Sequence, residues 1–66
     1  MSQLNSEGIA EFIRLIAELE DHTEDMSAYE IEFLQDNKER IEEYGDRVFV
    51  TEIQLEYLRR MYERIL

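Results

Sequence analysis

Two short strings, Ser27-Ala28-Tyr29-Glu30 and Thr51-Glu52-Ile53-Gln54, do most to limit the folds open to this chain. Each has the form of a capping box: the first hydroxyl accepts from the amide three residues on, and that later side chain reaches back to the first amide. Met26 and Val50 precede the two boxes, and Ile31 and Leu55 follow at the spacing of a hydrophobic staple. Two helix starts are thereby set within a chain of 66 residues that has no proline. Its two glycines, Gly8 and Gly45, stand near apparent helix ends, so nothing interrupts helix elsewhere.

The remaining periodicity fills in three helices, over about 6–21, 28–44 and 52–66. In the first, capped by Asn5 or Ser6, the residues Ile9, Phe12, Ile13, Leu15, Ile16 and Leu19 share an arc of roughly 160°. Glu7, Glu11, Arg14, Glu18 and Asp21 lie opposite, with Arg14 spaced to pair with Glu11 and Glu18. In the second, Tyr29, Phe33, Leu34, Ile41 and Tyr44 form the apolar arc, and Gly45 is placed to end the helix in the left-handed conformation. Asp46-Arg47-Val48-Phe49-Val50 is too short to find a strand partner and is expected to press over the end of the core. The fold class is therefore all-α, a small three-helix bundle with a C-terminal αα-hairpin in a single domain.

A core of this size seldom supplies more than about 3–5 kcal/mol, and small domains usually add disulfides, a metal or self-association. Cysteine is absent, which removes disulfides, thiolate zinc sites and thiol nucleophiles together. The third helix suggests the remedy that is left. Ile53, Tyr57, Met61, Ile65, Leu58, Tyr62, Leu55 and Leu66 spread over roughly 220°, about twice what a surface helix needs. Either this helix sits between the other two or it forms a homodimer seam, and the seam is the reading adopted, with Tyr57, Leu58, Met61 and Ile65 as interface residues. Asn37 and Gln54 fall inside apolar arcs, either as register-fixing buried amides or as edge positions with the amide in water; for Gln54 a capping role is also open.

The formal charge is −10, from 17 acidic and 7 basic residues, and it is uneven: residues 1–36 carry −9 and residues 37–66 carry −1. Such a chain repels phosphate backbones as a whole, and nucleic acid is an unfavoured partner. Arg59, Arg60 and Arg64 offer a local basic patch, the basis of an alternative reading as a small dimeric DNA-associated regulator, but the arginines alternate with glutamates at ion-pair spacing. No catalytic constellation is present. His22 is the one histidine, flanked by acids in a loop with nothing to complete a triad. The run from Glu20 to Asp25 lacks the glycine and alternating oxygen ligands of an EF-hand, and there is no glycine-rich phosphate cradle. A non-enzymatic protein without cofactor or metal is expected. No apolar run reaches the 18 or so residues of a membrane span and no leader pattern opens the chain, which predicts a cytoplasmic location. The acidic stripe Glu7, Glu11, Glu18 and Asp21 is the candidate partner-binding face, able to steer a protein with a basic surface; its alternative role is simply to keep a small oligomer soluble.

The segment Val50-Thr51-Glu52-Ile53-Gln54-Leu55-Glu56-Tyr57-Leu58-Arg59-Arg60-Met61-Tyr62-Glu63-Arg64, preceded by Glu39-Arg40, resembles a helix-hairpin signature of small phage and prophage accessory proteins: Ser or Thr, Glu, any residue, Gln, then Leu and a Tyr-Glu-Arg ending. The likeness covers roughly residues 33–66, and the zinc-binding cysteines of some of those proteins are missing here. It implies an accessory protein of a mobile element acting in the cytoplasm of a bacterial host. Many such compact acidic proteins block a host protein, as anti-CRISPR and other anti-host factors do, some by mimicking DNA. The resemblance assigns no role to any single residue.

Overall fold

The computed structural model describes residues 4–66, which form three α-helices and no strand: α1 (Ser6–Leu19), α2 (Ala28–Tyr44) and α3 (Glu52–Ile65). Asn5 starts α1, its Oδ1 accepting from the Gly8 amide at 2.9 Å. Both capping boxes are formed. Ser27 Oγ accepts from the Glu30 amide at 3.2 Å while Glu30 Oε1 accepts from the Ser27 amide at 2.9 Å. Gln54 Oε1 accepts from the Thr51 amide at 2.9 Å, with the reciprocal bond at 3.4 Å. Gln54 is thus a capping residue.

Helix α1 stops at Leu19, two residues earlier than its periodicity suggested. Leu19 is its last buried side chain, and the following Glu20–Asp25 is wholly polar, with no buried residue to hold a further α-turn. That stretch tightens to a 3₁₀ turn broken at His22. Gly45 takes positive φ as expected, but with ψ −136° rather than the left-handed helical value. This conformation is open essentially to glycine alone, and it sends the chain into a short 3₁₀ turn, Gly45–Arg47. Gly8 serves a different need: a Cβ there would stand 3.1 Å from the Leu4 Cβ, and Leu4 donates its amide to the Val50 carbonyl at 3.1 Å. The segment ahead of α1 is thereby tied to the segment ahead of α3.

The core is centred on α1, which packs against both other helices. Ile9, Phe12, Leu15, Ile16 and Leu19 are buried, joined by Leu34 from α2, Val48 and Val50 from the connection, and Leu55, Leu58 and Met61 from α3. The connection closes the core as expected, with alternating residues: Val48 and Val50 point in and Phe49 points out, 62% exposed. Cross-helix partners set the directions. Glu11 meets Arg59 and Glu18 meets Tyr62, so α1 and α3 run parallel; Glu30 meets Arg64 and Phe33 meets Tyr57, so α2 and α3 run antiparallel as a hairpin.

Candidate interaction surfaces

The centre of the α3 arc is consumed within the chain. Leu58 is 0% and Met61 2% exposed, sealed against α1, so the assignment of these two residues to a dimer seam is corrected. The physical reason is the central place of α1. Parallel to α3, it takes the middle of the 220° arc, while α2 covers one flank by setting Phe33 edge-on to Tyr57 with centroids 4.8 Å apart and Tyr29 at 6.3 Å. Tyr57 is half-buried, and burial pushes its hydroxyl pKa up. Ile65 packs against the core's edge. Only the extremes of the arc, Ile53 and Leu66, are left exposed.

The acidic stripe on α1 is likewise divided. Arg59 of α3 grips Glu11 with a two-pronged bond, Nε and Nη2 each 2.8 Å from a carboxylate oxygen, which holds the Glu11 pKa below its ordinary value and raises that of Arg59. Glu18 accepts from Arg14 at 2.8 Å and from the Tyr62 hydroxyl at 3.1 Å. Glu7 and Asp21 alone of the four remain exposed without a cation within 4 Å among the described residues. Glu11 and Glu18 therefore join α1 to α3, and the stripe is not a continuous free face.

Two of the three C-terminal arginines are already paired with carboxylates. Arg59 is held by Glu11, and Arg64 Nη2 lies 2.7 Å from both oxygens of Glu30, leaving Arg60 as the one of the three without an ion pair among the described residues. Glu30 is lowered in pKa, first by the Ser27 amide and then by Arg64. Lys38 reaches back to Glu20 at 3.0 Å, tying α2 to the end of α1. Six acids in all lie within 4 Å of a basic side chain, and the other eleven of the 17 do not, among the described residues. No group of histidine, cysteine or acidic side chains among the described residues converges as a metal site would require.

What sequence reasoning missed is the outer face of α2 and of the connection that follows it. The backbones of α2 and α3 do not approach as each approaches α1, and their side chains bridge the gap. One shallow depression there is lined by Tyr29, Glu32, Phe33 and Asp36; a second, of about 470 Å³, is lined by Asp36, Glu39, Arg40, Glu43, Tyr44, Val48 and Phe49, three carboxylates against one guanidinium. Asp36 lines both, so the two depressions adjoin along α2. The signal was present in the sequence as Tyr29, Phe33, Asp36, Arg40 and Tyr44, spaced by three or four residues on one helix face. Comparison of the chain with known protein families, curated proteins and solved structures finds no match in any of the three. No helix among the described residues is long and apolar enough to cross a membrane.

Proposed function

We propose that the protein is a non-catalytic binding module that engages a partner protein with a basic surface and acts in proportion to its amount, in the manner of a phage-type inhibitor or regulator of a host protein. The observation that carries this reading is the surplus of free carboxylates: among the described residues eleven acids have no cation within 4 Å, and two of the arginines, Arg59 and Arg64, are spent between helices. Freely solvated like charges destabilise a small fold, and they raise the rate of encounter with an oppositely charged surface. The phage character rests on the resemblance of residues 33–66 alone. The cytoplasm of a bacterial host is the location that this reading implies.

The alternative, a DNA-associated regulator using Arg59, Arg60 and Arg64, is disfavoured because Glu11 and Glu30 already occupy two of the three guanidinium groups. Immobilised protein incubated with bacterial lysate at low salt, then washed at rising ionic strength, tests the proposal. A retained protein that leaves between low and several hundred millimolar salt supports it. Retention indifferent to salt rejects the electrostatic part, and a shift of random-sequence DNA at low salt rejects the whole.

A further inference from the structure

We propose that the groove along the outer face of α2, closed at one end by Phe49 of the connection, is the docking site, and that its occupant is an arginine-bearing amphipathic helix of the partner protein. The inference deepens the reading above and rests on the partner's being basic.

The molecule's exposed apolar surface is concentrated here. The exposed large hydrophobic side chains among the described residues are Tyr29 (70%), Tyr44 (51%), Phe49 (62%), Ile53 (63%) and Leu66 (55%). Tyr29, Tyr44 and Phe49 line the two halves of the groove. Ile53 stands one turn before Tyr57, the α3 residue on which Phe33 and Tyr29 pack. Tyrosine and phenylalanine clustered on a surface are the usual material of interface anchors. From Tyr29 to Tyr44 the groove follows α2 for about 22 Å, room for roughly four turns of a partner helix.

Charge selects the occupant. Among the described residues, Glu32, Glu39 and Glu43 have no cation within 4 Å, and Asp36, where the two halves meet, has only Arg40 at 3.5 Å. A second copy of this chain would bring the same carboxylates face to face. A nucleic acid would add phosphates to them. A neutral apolar segment would strip water from them with nothing in return. Arginine satisfies both components of the groove, since its planar guanidinium stacks on Tyr29, Tyr44 or Phe49 and presents a fork to the adjacent carboxylate. Lysine supplies the charge without the flat face.

The probe is a fluorescein-labelled helical peptide with arginine at alternating i, i+3 and i+4 positions on one face and leucine on the other, titrated with the full chain at low salt and followed by anisotropy. Tyr44→Ala combined with Phe49→Ala is expected to weaken binding roughly tenfold, and Asp36→Asn several-fold. All three side chains are exposed, so circular dichroism should show an unchanged fold. The lysine version of the peptide should bind more weakly than the arginine version, and Glu7→Gln with Asp21→Asn should stay within about twofold of the parent. If the groove variants bind as the parent does while Glu7→Gln and Asp21→Asn weaken binding, the groove is overturned but a basic partner stands. If the arginine peptide binds no better than an uncharged amphipathic one, the basic partner fails as well. A protein that sediments as a dimer and becomes monomeric on Phe49→Glu makes a second copy the occupant and overturns the proposal.

Discussion

Helices α1 and α2 are similar in length and are held by different means. Over its 14 residues α1 buries five large apolar side chains, and its polar side meets α3 through Glu11 and Glu18. Over its 17 residues α2 buries one apolar side chain, Leu34, and one amide, Asn37; Phe33 and Ile41 are only partly covered. Its remaining ties are the edge contact of Tyr29 with Tyr57 and two polar pairs, Lys38 to Glu20 and Glu30 to Arg64. The contrast shows how a small chain can separate duties: one helix organises the core, and another is left loosely packed with an aromatic and acidic outer face. Elements with few buried apolar contacts open at lower free energy than the whole molecule, and binding surfaces are drawn from that end of the range.

Core truncations should separate the two helices most strongly. Phe12→Ala removes the largest fully buried side chain, at a cost of about 3–5 kcal/mol, comparable to the whole stability a chain of this size can muster. Its far-ultraviolet dichroism should be that of an unfolded chain at 25 °C. Leu34→Ala should cost less, about 2–3 kcal/mol, because an edge helix can settle into the space it leaves. Hydrogen exchange should then show α2 amides exchanging well before those of α1. A Leu34→Ala protein whose α1 and α2 amides lose protection together would erase the distinction between the two helices.

How far the sequence led follows the range of the interactions. Helix starts were legible because a cap is a bond across three residues: Asn5, Ser27 and Thr51 each do what their spacing requires. The buried side of α1 was legible because every residue of that side is apolar. The α2 arc was not, since Tyr29 and Tyr44 have the periodicity of core residues and are exposed; only the position of α1 decides which part of the arc is covered. The same ignorance turned surplus apolar surface on α3 into a seam at Leu58 and Met61. Ion pairs were legible only in part. Helical spacing assigns the arginines to neighbouring glutamates, whereas Arg59 binds Glu11 across 48 residues and Arg64 binds Glu30 across 34. The local pattern is kept by Arg14 with Glu18 at 2.8 Å, as its spacing required, and by the looser 3.5 Å approaches of Arg59 to Glu56 and of Arg40 to Asp36.

Asn37 sharpens the comparison in the opposite sense, by a gain. Its Nδ2 donates to the Phe33 carbonyl at 2.9 Å, but its Oδ1 is buried without a partner. A buried acceptor left unpaired costs about 1–3 kcal/mol, and the Phe33 carbonyl keeps its helical backbone donor when the side chain is replaced. Asn37→Leu, of the same branched shape though bulkier, should therefore stabilise the protein by about 1 kcal/mol and raise the melting temperature by about 4–8 °C, provided that the partly covered flank of α2 takes up the added methyl volume. A lowered melting temperature would show that the amide is supporting α2.

The smallest effect concerns the polar tie between α2 and α3. Glu30 closes the Ser27 capping box and receives Arg64, and both interactions favour its ionised form, so its folded-state pKa lies below the ordinary 4.5. A carboxylate lowered in this way contributes stability that is complete above the unfolded-state value and is lost as pH falls through the folded-state one. Glu11, lowered chiefly by its bond to Arg59, titrates in the same direction between α1 and α3. Melting temperature should accordingly fall below about pH 4.5, and Glu30→Gln should flatten part of that fall while costing less than about 1 kcal/mol at neutral pH, since Arg64 is half exposed. Amide exchange tells the two pairs apart: acidification should release the first turn of α2 before any turn of α1, because Glu30 guards a helix start that has no buried apolar side chain until Leu34. Simultaneous release of both helices would mean that the acid sensitivity resides in Glu11 and that the Glu30 tie adds nothing to the holding of α2.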